Sequence, residues 1–545
     1  MLNQNWIKNA FYQLVSVRSD SNSVYETIIE DALLNILGQH PYYQENPDYY
    51  GAHPLVDDQH SRAVVWSLVK GLGKRTFVMI NHHDAVDTVE YGHLAELAFR
   101  PDDLKTALLK KSKNKNILND ANNEKWIFGR GTADMKGGLA SQLGVVDMFT
   151  KNKDFEGNIL FLSVPDEETI SNGMLAAVEL LKSLREEYDF EYDLMINSEP
   201  YFNQVKDKAI MFEGSVGKIM PVVYVKGVKS HIGDPFAGVN PSLILSEIQK
   251  RTELNPSLCD VQGLDASPPP VWINLKDRKK AYDASIPEAA VGYFNWLTFS
   301  RTPSDVLKSM KMLAKHALTD VLLRNQQAYD TFCMMNHEES DNLEYSPVVL
   351  TFKELFDQAL EEGGEKFSKN YKAYLDDVNS DFKKSRVALP EAALKLIEFV
   401  AEYVDLEGPA VVLGLSGPYY PHISNDIIEN GNKYDLLDRV NRISETRFAL
   451  KYQSNSYFMG ISDLSYGGFV GDEKDIQVIC DNSPGWDEIY HVPFDALKEL
   501  SMPVVNIGPW GKDLHKTTER VFGPDVFERI PLILYDLIND ILDNA

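Results

Sequence analysis

His82 and Asp84 stand two residues apart, directly after the apolar run Val78-Met79-Ile80. Three further acidic motifs follow in order. They are Gly129-Arg130-Gly131-Thr132-Ala133-Asp134-Met135-Lys136-Gly137-Gly138, Asp166-Glu167-Glu168 and Ser198-Glu199-Pro200. Together they supply an imidazole and several carboxylates without a thiolate, a donor set that suits one or two divalent metals in a hydrolytic site. Asp84 can bond the second ring nitrogen of His82 and fix its tautomer. The small residues around Asp134 let the backbone approach a metal closely, and its carboxylate can bridge two ions. A glycine-rich turn before a helix could also cradle an anion, but Asp134 would put negative charge where the anion belongs. Three adjacent carboxylates at 166–168 should raise one another's pKa. With two metals present, one glutamate can ligate while its neighbour stays free as general base. His231, Glu199 and His515 taken singly read as strand-end, turn and loop residues.

These motifs need a scaffold that gathers strand ends. Apolar runs at 64–69, 76–81, 158–164 and 193–197 read as strands, and 135–149 and 174–188 as helices. Alternation of the two types predicts an α/β layer whose sheet is mostly parallel, with the motifs at its carboxyl edge. Near residue 211 the pattern changes. Strands at 219–225 and 292–299 and helices at 241–252 and 303–323 read as a smaller α+β block. The charged stretch 361–386 reads as a surface helix or an excursion. Strands of parallel-sheet character return at 410–415 and 503–507. The expected domains are therefore 1–213 with 388–545, and an inserted 214–387.

The 545 residues exceed one ordinary core. Fifty-four basic residues against 81 acidic ones leave a net charge of -27, which argues against nucleic acid or an anionic membrane as partner. Cys259, Cys333 and Cys480 are dispersed and form no CxxC pair, as expected for a reducing cytoplasm. No apolar run approaches the ~20 residues of a membrane span, and residues 1–17 lack the pattern of a signal peptide.

The ordered set resembles the M20 family of metallopeptidases and amidohydrolases. That family's pattern runs His-x-Asp, Gly-Arg-Gly-x-x-Asp-Met-Lys-Gly-Gly, Asp-Glu-Glu, Glu-Pro and a distant histidine. Gly129 to Gly138 is its most specific counterpart here, and the likeness covers nearly the whole chain. The resemblance implies that His82, Asp134 and Glu199 hold one metal and Asp134, Glu168 and His515 the other. It implies that Asp84 orients His82, that Glu167 is the general base, and that the block after residue 213 is a lid or dimerisation domain. Within that block Gly227-Val228-Lys229-Ser230-His231 implies an oxyanion-binding role for His231. Gly460-Ile461-Ser462-Asp463 resembles a loop near the substrate site, so Ser462 and Asp463 are candidate substrate-binding residues. Two departures fall in the lid. The family's Asn-x-x-Pro is replaced by a stretch with Asp283 before Pro287, and its Asp-x-Arg-x-x-Pro survives only around Arg301, the candidate carboxylate anchor. In length the chain resembles the subgroup of arginine-utilisation protein RocB.

Charge agrees with this ligand set. Two divalent ions would balance Asp134, Glu168, Glu199 and a bridging hydroxide, leaving water acidic enough to lose a proton near neutral pH. The expected protein is a cytoplasmic, dinuclear amidohydrolase or peptidase of arginine or amino-acid catabolism. It would cleave a small N-acyl amino acid or short peptide. Zinc is the expected ion, with Mn or Co fitting the same donors. The lid allows a homodimer. The alternative is a non-catalytic, metal-bearing regulatory or binding protein of arginine metabolism, against which the retained Glu167 speaks.

Overall fold

The computed structural model describes residues 1–202, 208–263, 265–406 and 408–543. The chain divides into two compact units. One comprises Met1–Val216, Pro421–Val470 and Pro493–Ala545, and the other Gly217–Tyr420 and Gly471–Val492.

The first unit is built on an eight-stranded mixed sheet. At its centre Arg75–His82 lies between Asn158–Val164 and Glu191–Asn197, parallel to both. Val504–Asn506 extends the parallel set beside Glu191–Asn197. Ala63–Lys70 and Tyr50–Pro54 add antiparallel strands at one edge. Ala209–Phe212 pairs with Val504–Asn506 antiparallel and with Tyr452–Asn455 in parallel at the other.

The central strands are apolar on consecutive residues because both faces are covered. Phe77, Met79, Ile159, Phe161, Leu194 and Ile196 enter one large core with Leu139 and Leu143 of helix Lys136–Phe149 and with Ile533, Leu534 and Leu537 of helix Ile530–Asp543. Alternate residues Val78, Ile80, Leu160 and Leu162 face the other way and are equally buried. Helix Asn172–Tyr188 contacts the sheet at Ala63–Lys70 and Asn158–Val164.

The second unit has a five-stranded sheet in the order Val271–Asp277, Ala289–Thr298, Gly217–Lys226, Ala410–Tyr420, Val348–Thr351. Here the domain boundary differs from the sequence expectation. Residues 388–420 were expected in the first domain, yet Ala410–Tyr420 pairs antiparallel with Gly217–Lys226 and parallel with Val348–Thr351. Residues 471–492 return to the same unit. An apolar strand pattern carries no mark of the sheet that will receive it, because any buried sheet satisfies it. The charged stretch around 361–386 is helical, within Phe352–Lys383, and bends at Gly364, whose φ is 53°.

Among the described residues no helix is long and apolar enough to cross a membrane.

Candidate metal centre

Register places three motifs side by side. His82 pairs with Val164 and Ile80 with Asn197, so the parallel strands end together. The chain then continues into Asp84 from one strand, into 166–168 from the second and into Glu199 from the third. Asn506 pairs with Asn197, which directs the following loop, with His515, to the same edge. Asp134 arrives from the turn that opens helix Lys136–Phe149. Glycine is required where these segments crowd. A Cβ on Gly138 would lie 2.1 Å from the Ser198 carbonyl, and one on Gly508 would lie 2.1 Å from that of Glu199.

The gathered side chains fall into two sets. His82 Nε2 lies 3.1 Å from Asp134 Oδ1 and 3.4 Å from Glu199 Oε1. His515 Nε2 lies 3.2 Å from Asp134 Oδ2 and 3.1 Å from Glu168 Oε1. Asp134 thus gives one oxygen to each set. Metal bonds of ~2.0–2.2 Å in tetrahedral geometry put neighbouring donor atoms about 3.3 Å apart, the spacing at which each histidine meets its two carboxylates. Ligand atoms of His82, Asp134 and Glu168 all lie within 4.8 Å of one another. Glu167 stands further back, with Oε2 3.9 Å from His82 Nε2.

Asp84 organises the first set from behind. Its Oδ1 lies 3.3 Å from His82 Nδ1, and its own carbonyl 3.1 Å from the same nitrogen. These contacts give Nδ1 its acceptors, so a metal that displaced the proton from Nε2 would meet that nitrogen's lone pair. The Asp84 carboxylate also accepts the N–H groups of Glu167 and Glu168, each at 3.2 Å, and the Ser21 hydroxyl at 2.7 Å. His83, by contrast, turns away to Ser163 Oγ at 3.1 Å.

The electrostatics agree with a cation-binding cluster. Burial, with Asp134 and Glu168 nearby, pushes the Glu199 carboxyl up to about 7. Burial and the charges of Asp463, Glu199 and Glu168 hold Glu167 well above the carboxylate range, against the pull of His82. Burial alone would lower the His82 imidazole, but Glu199, Glu167, Asp134 and Asp84 raise it well above its ordinary value. Hydrogen bonds to Asp134 and Glu168 push His515 up to about 11. The protein's own groups therefore hold protons where positive charge is wanted. Divalent ions on these N and O donors would supply that charge, so the residues fit a dinuclear centre.

The other expectations fare unevenly. Asp166 does not face its two neighbours. It is buried against Arg62, whose Nη1 lies 2.9 Å from Oδ1, so the three carboxylates do not act as one repelling cluster. Ser462 is buried, and its hydroxyl accepts from Asn197 Nδ2 at 2.7 Å and from the Leu464 N–H at 3.2 Å. It caps a turn at a strand end. Asp463 is buried in the same turn, and burial with Asp84 and Glu199 pushes its carboxyl up to about 8 despite Ser171 and His82. His231 and Arg301 belong to the second unit. His231 is exposed, and its Nδ1 accepts the Gly233 N–H at 3.0 Å. The Arg301 guanidinium is already engaged, with Nε 2.6 Å from Asp260 Oδ1.

Sequence reasoning missed Glu519. It is fully buried, with Oε2 2.7 Å from Arg130 Nη1 and Oε1 accepting the Ala133 N–H at 3.1 Å. Arg130 Nη2 also donates to the His515 carbonyl at 3.3 Å. The pair ties the Asp134 turn to the His515 loop. A lone glutamate in a polar loop gives no sequence signal of such a partner. The arginine between two glycines was the available clue.

Comparison with known proteins agrees with this geometry. The model of peptidase family M20/M25/M40 matches residues 115–531. The uncharacterized protein YqjN of Bacillus subtilis is 32% identical over 541 residues, covering 98% of this chain and 95% of its own. Protein RocB of the same organism is 26% identical over 535 residues, covering 96% and 92%. The crystal structure of the Bacillus subtilis YxeP protein, described as a dinuclear metal binding peptidase from the M20 family, shares the fold. Its TM-score is 0.50 at 10% identity, over 100% of both chains. The chain belongs to peptidase family M20/M25/M40 and is a metal-dependent amide hydrolase of that family.

Proposed function

We propose that this enzyme hydrolyses the amide bond of a small N-acyl amino acid or short peptide, with Glu167 as general base. The observation that carries the reading is the position of Glu167. Its carboxylate stands beside the His82 set yet further from His82 Nε2 than Asp134 or Glu199. A binding protein needs no free base there. Bound divalent ions would supply Lewis acidity, lowering the pKa of water and polarising the substrate carbonyl. Glu167 takes a proton from the attacking water and delivers it to the leaving nitrogen. The water oxygen bonds to the carbonyl carbon, the C–N bond breaks, and an acid and an amine leave. Asp84 keeps His82 in the ligating tautomer and, through the two N–H groups it accepts, holds Glu167 and Glu168 in place.

We infer zinc as the ion, with Mn or Co able to occupy the same donors. A role in arginine or amino-acid catabolism rests on the resemblance of the sequence to the arginine-utilisation RocB subgroup. The free cysteines fit a reducing cytoplasm, and the second unit would be of the lid or dimerisation type that the sequence resembles. Asp463, which belongs to the same unit as the ligands, would contact substrate.

A panel of N-acyl amino acids and dipeptides, assayed with zinc-loaded protein and with Glu167→Gln, tests the reading. The wild type should cleave at least one member and the variant should lose most turnover. Full metal loading with no hydrolysis anywhere in a broad panel would favour the regulatory alternative.

A further inference from the structure

Asp166, the acidic residue that turns away from the metal centre, is the hub of a buried ion group. Arg62 Nη1 lies 2.9 Å from Asp166 Oδ1 and 2.9 Å from Glu26 Oε2. Glu26 Oε1 in turn accepts the Asp166 N–H at 2.7 Å. Glu26 thus holds the backbone of Asp166 directly and its side chain through Arg62. Asp58 fixes the other side of the guanidinium, with Oδ1 2.7 Å from Nη2 and 3.1 Å from Nε. Arg62 and Glu26 are both buried.

Asp166 has φ of 70°, a region that a non-glycine residue occupies where its surroundings impose it. Its Oδ2 accepts the Asn172 N–H at 3.2 Å, and its carbonyl accepts that of Ser171 at 2.8 Å. The turn between strand Asn158–Val164 and helix Asn172–Tyr188 is therefore held at its start and its end by Asp166. The next two residues are Glu167 and Glu168, whose N–H groups reach Asp84. Releasing Asp166 to ordinary backbone would rotate both N–H groups off Asp84 and both carboxylates away from their partners.

We propose that Arg62, braced by Glu26 and Asp58, is a positioning residue that sets Glu167 and Glu168 in the metal centre by holding Asp166. The inference rests on the reading of Glu167 as base and Glu168 as ligand. A small displacement of a base costs turnover far more than it costs substrate binding.

The test uses full-length Arg62→Met, Arg62→Lys and Asp166→Asn proteins, with steady-state kinetics, zinc titration by calorimetry and thermal melting. Arg62→Met should lower kcat about 10–100-fold and weaken zinc at one of its two sites by a similar factor, with KM little changed. Arg62→Lys should fall between it and the wild type, because one ammonium cannot serve Glu26, Asp58 and Asp166 together. If Arg62→Met does not fold, Asp166→Asn carries the same comparison. Folded variants with wild-type kcat and wild-type zinc affinity overturn the proposal, even where the melting temperature falls. The zinc titration reads positioning whether or not a substrate has been found. A wild type without hydrolytic activity therefore counts against the hydrolase reading and not against Arg62.

Discussion

His515 brings its Nε2 to 3.2 Å from Asp134 Oδ2, joining the candidate metal centre from a loop far along the chain. The same carboxylate reaches His82 Nε2 through its other oxygen at 3.1 Å. Loss of His515 should therefore remove one ion and spare the other. His515→Ala is expected to bind about half the zinc of the wild type, because the donors around His82 and Glu199 remain. Metal analysis after dialysis reads the ratio, and unchanged stoichiometry would show that His515 is no ligand.

Glu167 is the group expected to separate metal binding from chemistry. Glu167→Gln keeps the shape but cannot take a proton, so turnover should fall about 10²–10⁴-fold at unchanged zinc content. A variant that loses zinc in step with activity would make Glu167 a ligand instead.

Removing the metal should make stability depend on pH in a defined direction. In the metal-free protein the Glu199 carboxyl lies near 7, above its unfolded value, and His515 lies near 11, also above its unfolded value. Between those limits the folded state binds more protons than the unfolded state, so stability falls as pH rises. The Glu199 contribution is complete below about 4.5 and is lost on approaching 7, and that of His515 is lost from about 6.5 upward. A divalent ion bound there would supply the charge those protons supply. The gap in melting temperature between zinc-loaded and chelated protein should thus widen from about pH 5 to about pH 8. A constant gap across that range contradicts the account.

Arg130 and Glu519 test the link between the two loops that carry Asp134 and His515. Both are buried and paired, and Arg130 also meets Glu90, so Glu519→Ala leaves the guanidinium with Glu90 and two backbone carbonyls and orphans the Ala133 N–H. The expected loss of stability is about 1–3 kcal/mol, measured by urea denaturation. A loss below about 1 kcal/mol, as for an exposed pair, would mean that solvent reaches this contact.

Much of the centre was legible from residue order. His82, Asp134, Glu168 and Glu199 each follow an apolar run or a glycine turn, and a parallel sheet with both faces covered can only present such residues at its carboxyl edge. Hydrophobic pattern also located strands Arg75–His82, Asn158–Val164 and Glu191–Asn197 to within two residues. Pairing was not legible. Nothing local assigns Ala410–Tyr420 to the second sheet and Val504–Asn506 to the first, because both are buried along their whole length.

Side-chain direction was likewise beyond sequence. Asp166 and Glu167 are neighbours of one chemical type, yet one meets Arg62 and the other faces the metal centre, a difference fixed by the positive φ at Asp166. Glu26 lies in the first turn of helix Tyr25–Gly38, and only tertiary packing buries it against Arg62. The chemistry available to this chain is written in local residue types, because donor identity and strand periodicity are local properties. Which donors share an ion, and which charges brace them, depends on contacts between distant segments, and those exist only once the sheet has assembled.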